Sequence, residues 1–240
     1  MISEYHENIT RRLWNLEGKQ KQTMGDVNVA GIKGQSLPYR FIKRLADIVL
    51  SLVGLILLSP IFLITAIAIK LEDGGSVFYV QDRIGKNKNI FKMYKFRSMK
   101  MDADKMHEQM KKEYGVRDVS FKLKEDPRET RVGRVIRKWN IDELPQLLNI
   151  LKGEMTFVGP RPLPVYEYED EQKRYNGKYD LRYEVPQGLT CTWQIGNRSE
   201  TEYSERMQMD VDYARRCGLL LDTRLFFLTA IYSITGKAAY

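Results

Sequence analysis

The sequence predicts an α+β chain, mostly helical, in three parts: a polar arm over residues 1–37, an apolar helix-break-helix over 38–75 and a small domain over 76–240. Three observations predict it. Residues 48–69 carry no charge, are long enough for a helix that crosses a bilayer core, and hold a Ser-Pro pair at their middle. Two β-prone runs follow, 77–84 and 90–97, parted by Gly85-Lys-Asn-Lys-Asn89, the pattern of a β-hairpin. Beyond residue 100, apolar residues recur at helical spacing in short segments.

In chain order, residues 1–35 are polar, punctuated by Gly18, Gly25, Gly31 and Gly34, with neither a signal-peptide core nor a repeat. A short helix is expected around 11–16. The apolar run has Arg40, Lys43 and Arg44 at one end and Lys70 at the other. Pro60 removes a backbone hydrogen bond and kinks a helix. Two readings stay open: a kinked transmembrane helix, or a pair of helices that enters and leaves by one face. Cations on both sides, including Arg83, Lys86 and Lys88, favour the second. Asp47 is expected at the interface, where its charge is tolerated.

From Arg83 to Lys100 the hairpin carries seven cations and no acid, so it either lies on anionic headgroups or sends Lys95 and Arg97 to a diphosphate. A polar helix is expected over 102–114, then a short one over 132–139 with Arg131, Arg134, Arg137 and Lys138 exposed. The next runs from near Asp142 to Lys152, with Leu144, Leu147, Leu148 and Leu151 as its apolar face and Gly153 as its stop. Residues 166–175 read as a charged helix and 201–217 as an amphipathic one. The last segment, 219–235, is apolar but broken by Asp222 and Arg224, which suits an interfacial C-terminal helix, or one packed under the domain, better than a spanning one.

The formal charge of +8 calls for an anionic partner, whether nucleic acid, phospholipid or phosphorylated substrate. The mean hydropathy of −0.44 is that of a soluble chain apart from the one run. Cys191 and Cys217 are too few for a disulfide scaffold and read as reduced thiols in a cytosolic setting. His6 and His107 are the only histidines, which argues against a Ser-His-Asp triad or a His-rich zinc site. A base or nucleophile is then a carboxylate, and a metal is hard and oxygen-bound.

The most informative stretch is Arg137-Lys-Trp-Asn-Ile-Asp-Glu-Leu-Pro-Gln146. Proline is tolerated in a first helical turn, so Pro145 sets the helix start at or just before Asp142. Asp142 is then an N-cap whose ionised form the helix dipole favours, at a natural phosphate site. Taken alone, the pair could equally be a cap and a first-turn acid. Asp126-Pro-Arg-Glu-Thr-Arg131 precedes it. Gly159-Pro-Arg-Pro162 follows, presenting Arg161 on a stiff loop suited to phosphate.

With Lys43-Arg44, Ser59-Pro60 and Lys95-Phe-Arg-Ser-Met99, these motifs resemble in order those of the bacterial sugar transferase family, the monotopic phosphoglycosyl transferases, over about residues 39–240. The resemblance implies a re-entrant membrane helix bent at Ser59-Pro60. It also implies an Asp142-Glu143 dyad, with Asp142 as nucleophile and Mg2+ ligand. Arg137 and Arg161 match family arginines near the phosphates, and Lys95, Arg97, Arg131 and Arg198 are further substrate-binding candidates. One stretch departs from the family: Pro186-Gln-Gly-Leu-Thr-Cys-Thr-Trp-Gln194 has a residue inserted after Pro186, and Cys191-Thr192 in place of a glycine.

The implied reaction is ping-pong transfer of a sugar 1-phosphate from a nucleotide diphosphate sugar to a polyprenyl phosphate, at the cytoplasmic face of a bacterial inner membrane. Membrane lipids are then partners, nucleic acid is not, and a homo-oligomer remains open. Two rivals are a non-enzymatic membrane-surface adaptor, which gives the dyad no purpose, and a magnesium-dependent phosphohydrolase, which needs no lipid acceptor. A nucleic-acid binder would need a reading module that the basic hairpin lacks.

Overall fold

In the computed structural model of the protein, which describes residues 36–103, 106, 126–195 and 202–234, the apolar run forms two helices. These are α1 (Leu37–Leu57) and α2 (Ser59–Asp73), bent by 60° at Leu58. Pro60 stands in the first turn of α2, where a missing N–H leaves no bond unmade. Ser59 Oγ donates to Ile56 O at 2.8 Å, occupying a carbonyl that the break releases. Among the described residues no single helix is long and apolar enough to cross a membrane, whereas the bent pair together is.

The polarity of α1 is inverted relative to a soluble helix. Leu37, Phe41, Leu45, Val49, Val53, Ile56 and Leu57 are exposed. Past the exposed Arg40, its polar residues face the protein. Lys43 Nζ donates to Val158 O at 2.8 Å and pairs with Asp222, while Arg44 donates to Ile150 O and Leu151 O at 2.6 and 2.7 Å. Asp47 accepts from Thr156 Oγ1 at 3.0 Å and Phe157 N at 3.1 Å, and Ser51 is fully buried. Asp47, expected at the interface, is thus buried against β3, where two donors meet its carboxylate and the charge of Lys43 acts on it.

The hairpin is β1 (Phe78–Ile84) against β2 (Ile90–Phe96), antiparallel, in register from Phe78↔Phe96 to Ile84↔Ile90. Asn87 and Lys88 take positive φ in its turn. Helix α3 (Arg131–Lys138) is capped by Thr130, whose hydroxyl accepts from Gly133 N at 2.8 Å. A Cβ on Gly133 would lie 1.9 Å from Ser98 O, so only glycine lets α3 close onto the strand's end. Helix α4 (Gln146–Lys152) packs between α1 and β2. There the buried Asn149 acts as a surrogate strand, its Oδ1 accepting from Tyr94 N and its Nδ2 donating to Lys92 O.

Strands β3 (Thr156–Val158) and β4 (Gly188–Thr190) pair in parallel, with α5 (Val165–Tyr175) between them in sequence. Helices α6 (Tyr203–Arg216) and α7 (Leu219–Ile234) complete the domain. One core gathers Val158, Val185, Tyr213, Ala214, Cys217 and Leu225; a second gathers Phe91, Met93, Leu147, Ile150 and Met155. Helix α7 packs under the domain through Leu225 and Asp222 and leaves Leu220, Phe227 and Ile231 exposed. The helix expected around 11–16 and most of the one over 102–114 lie outside the described residues.

Asp47→Ala leaves two buried donors without an acceptor and should cost on the order of 3 kcal/mol of stability. Val53→Ala, on the exposed face of α1, should leave the thermal midpoint in detergent nearly unchanged. Equal effects of the two would contradict the inverted polarity.

Candidate active site

Asp142 and Glu143 lie on a single 3-10 turn, Ile141–Glu143, entered through Asn140 at φ 53°. This corrects the expected helix start. Helix α4 begins at Gln146, so Asp142 stands one turn ahead of it and is not its N-cap. Helix-dipole stabilisation of an ionised Asp142 goes with that placement, and burial decides its titration instead.

Glu143 is clamped. Its Oε1 accepts from Lys95 Nζ of β2 at 3.1 Å and from Arg161 Nη2 of the Pro-Arg-Pro loop at 2.6 Å. Burial raises its pKa, but Arg161 and Lys95 outweigh it and hold the carboxyl well below its usual range. Asp142 differs: among the described residues no hydrogen bond or ion pair engages its carboxylate. Burial pushes its pKa up to about 6, with Glu143 adding to the rise and Lys95, Arg137 and Arg161 opposing it. The site therefore offers one fixed anion and, beside it, one unengaged carboxylate among cations. Such an arrangement can perform nucleophilic attack on an anionic phosphoester.

The loop bearing Arg161 is fixed from three sides. It leaves β3, which α1 holds through Lys43 and Asp47. Gly188 N donates to Pro160 O at 2.8 Å, and a Cβ on Gly188 would lie 2.1 Å from Gly159 N. Arg182 Nη2 donates to Arg161 O at 2.6 Å and to Asp210 Oδ2 at 2.7 Å, and both Arg182 and Asp210 are fully buried. The departing stretch from Pro186 forms part of this support. Gln187 is buried and donates to Arg182 O and Val185 O, and the backbone N–H of Cys191 donates to Gln194 Oε1.

Of the residues predicted from sequence, Asp142, Glu143, Lys95 and Arg161 come together, with Arg137 close enough to act on Asp142 while pairing with Glu129 at 3.2 Å. Arg97 does not join them. It stands just past the end of β2, buried and bidentate to Asp73, with Nε donating to Ser76 O at 2.6 Å, so the end of α2 consumes its charge. Arg131 has an exposed side chain at the start of α3, where its backbone N–H meets Glu72. Arg198 lies outside the described residues. Lys43 and Arg44 tie α1 to the domain, and Ser59 and Pro60 stand at the bend. Cys191 and Cys217 are buried free thiols.

Among the described residues no group of three His, Cys, Asp or Glu side chains comes together. A magnesium ion, however, takes one or two carboxylates and completes its shell with water and substrate phosphates. Unengaged Asp142 fits that demand, and clamped Glu143 does not.

Sequence reasoning missed Arg182, Asp210 and Asn149. Arg182 and Asp210 sit in ordinary charged stretches; nothing local marks them as a buried pair. Asn149, a polar residue among the leucines of α4, was the one available signal.

A family model described as bacterial sugar transferase matches residues 38–236. The chain is 41% identical over 202 residues to the exopolysaccharide production protein ExoY of Sinorhizobium fredii, covering 82% of this chain and 88% of that one. It is 38% identical to the undecaprenyl-phosphate galactose phosphotransferase of Salmonella typhimurium, covering 84% of this chain and 42% of the relative. It is 36% identical to the UDP-glucose:undecaprenyl-phosphate glucose-1-phosphate transferase of Escherichia coli, covering 95% and 47%. The chain thus spans most of ExoY and less than half of the two longer relatives.

The raised pKa of Asp142 has a signed consequence. The folded protein holds this proton more tightly than the unfolded chain, whose carboxyl titrates near 3.8. Asp142 therefore costs stability increasingly as pH rises from about 4 through about 6. Asp142→Asn should raise the thermal midpoint by a few degrees at pH 7.5, with the gain closing toward pH 4. A loss of stability at pH 7.5 would contradict it.

Proposed function

The chain belongs to the bacterial sugar transferase family and is a phosphoglycosyl transferase; we propose that it moves a sugar 1-phosphate from a uridine diphosphate sugar to a polyprenyl phosphate, opening the synthesis of an exopolysaccharide. The relatives' names support both substrates. The observation that carries the reading is the asymmetry of the dyad: Glu143 held by Lys95 and Arg161, Asp142 unengaged beside them.

In the proposed mechanism an Asp142 carboxylate oxygen attacks the sugar-bearing phosphorus. The bond from that phosphorus to the bridging oxygen breaks, and the uridine monophosphate leaves with the electron pair. The sugar phosphate is then an acyl phosphate on Asp142. An oxygen of the polyprenyl phosphate attacks the same phosphorus, the bond to Asp142 breaks, and the carboxylate is restored. Arg161 and Lys95 offset charge on the phosphate oxygens, and Glu143 fixes both cations where that charge develops. Magnesium, when bound, supplies further charge neutralisation on the diphosphate, with Asp142 as its protein ligand.

The lipid acceptor gives the inverted helix its purpose. Embedding the exposed faces of α1 and α2 as a re-entrant pair puts the dyad at a membrane surface, where a polyprenyl phosphate presents its head. The bend of 60° and the cations on both flanks support entry and exit by the cytoplasmic face. A surface adaptor would leave the buried dyad without use, and a phosphohydrolase would leave the apolar pair without use.

The test is a panel of uridine diphosphate sugars offered with undecaprenyl phosphate and magnesium, scored by release of uridine monophosphate and formation of lipid-linked sugar. One donor should give both products in equal amounts. Arg161→Ala should lower kcat/KM on the order of a hundredfold or more. Monophosphate release with free sugar phosphate and no lipid product would convert the reading to a hydrolase.

A further inference from the structure

Arg83 is a cation that the proposed reaction has not used. It lies near the end of β1, where Ile84 N donates to Leu163 O at 2.9 Å and Arg83 itself bridges Pro164, so the strand runs alongside the Pro-Arg-Pro loop. Its Nη1 donates to Pro162 O at 2.9 Å and its Nη2 to Gln81 Oε1 at 2.6 Å. Nε is buried and meets no acceptor, and among the described residues no carboxylate forms an ion pair with this guanidinium. Burial and then repulsion by Arg161 bring its pKa down to about 10, against an opposing pull from Glu167.

A half-buried guanidinium with no carboxylate partner, set beside another cation, is unfavourable on its own. Holding Pro162 O and Gln81 does not require that charge, since a neutral amide could donate to both. An anionic ligand would require it. Lys95, Arg161 and Arg83 share one neighbourhood with two carboxylates, which leaves positive charge over even when both are ionised.

We infer that Arg83 binds the phosphate that leaves with the nucleoside. The inference rests on the proposed function and adds a substrate-binding residue to it. The placement of the charges selects this phosphate. Lys95 and Arg161 meet the dyad directly through Glu143, whereas Arg83, among the described residues, meets neither carboxylate and is held at Pro162 O, one residue past Arg161. Arg83 therefore stands one step removed from the dyad, on the Pro162 side of the loop that presents Arg161. In-line displacement puts the leaving oxygen opposite the attacking one. When the bridging bond breaks, its electron pair goes to the leaving phosphate, and Arg83 offsets the charge there.

The experiment is calorimetric titration of full-length protein in lipid nanodiscs with uridine monophosphate, and with uridine as the phosphate-free control. Wild type, Arg83→Gln and Arg83→Lys are compared alongside their thermal midpoints. Arg83→Gln should weaken monophosphate binding at least tenfold, leave uridine binding unchanged and keep or raise the midpoint. Arg83→Lys, with its charge but without its fork, should fall between. Unchanged monophosphate affinity in either folded variant would overturn the inference and make Arg83 a bolt between β1 and the loop. Should wild type release no monophosphate from any donor in the panel, the proposed function fails first and the inference with it. Release by wild type with normal binding in the variants sinks the inference alone.

Discussion

The grip of Lys95 and Arg161 on one oxygen of Glu143 is the contact on which the candidate site depends. It joins three pieces of chain that are distant in sequence: the second strand of the hairpin, the 3-10 turn with the dyad, and the loop after β3. Because Glu143 satisfies both cations, adjacent Asp142 has no ion pair of its own among the described residues. Two neighbouring carboxylates thereby acquire different characters. One is a structural anion kept ionised by its partners; the other is raised by burial to a pKa near the working range of a nucleophile.

That contact is held in place from the side of the bent helix pair. The polar face of α1 grips β3 through Lys43 and Asp47 and α4 through Arg44. Strand β3 leads directly into the Arg161 loop, and α4 leads directly out of the dyad turn. An apolar surface on one side of α1 and a polar clamp on the other therefore couple the position of the bent pair to the geometry of the two charged groups. The buried Arg182–Asp210 pair fixes the same loop from the opposite side. A fully buried ion pair adds little net stability, and its use here is to hold a carbonyl, and with it a guanidinium, in one place.

Much of this was legible in the sequence because its signals are local. The uncharged run with its Ser-Pro break, the hairpin turn, and Gly153 as a helix stop each write their outcome into a few adjacent residues. Lys95, Arg161 and the dyad were legible through motif resemblance. Failures came where the outcome is set by distant partners. Arg97 looked like a phosphate ligand and is consumed by Asp73; Asp47 looked interfacial and is buried under β3. A proline in a first helical turn makes Asp142 look like a helix cap, whereas Pro145 itself occupies the capping position. No periodicity announces that Arg182 will meet Asp210 across 28 residues.

The central claim, that Asp142 forms the covalent intermediate, is tested most directly by mass spectrometry of the enzyme given donor without acceptor. With a productive uridine diphosphate sugar, magnesium and no polyprenyl phosphate, the wild type should release up to one monophosphate per active site. It should also gain the mass of one sugar phosphate, on the peptide that contains Asp142; Asp142→Asn should do neither. An enzyme fully active with acceptor, yet showing no burst and no adduct without it, would contradict the account and leave direct transfer between the two substrates.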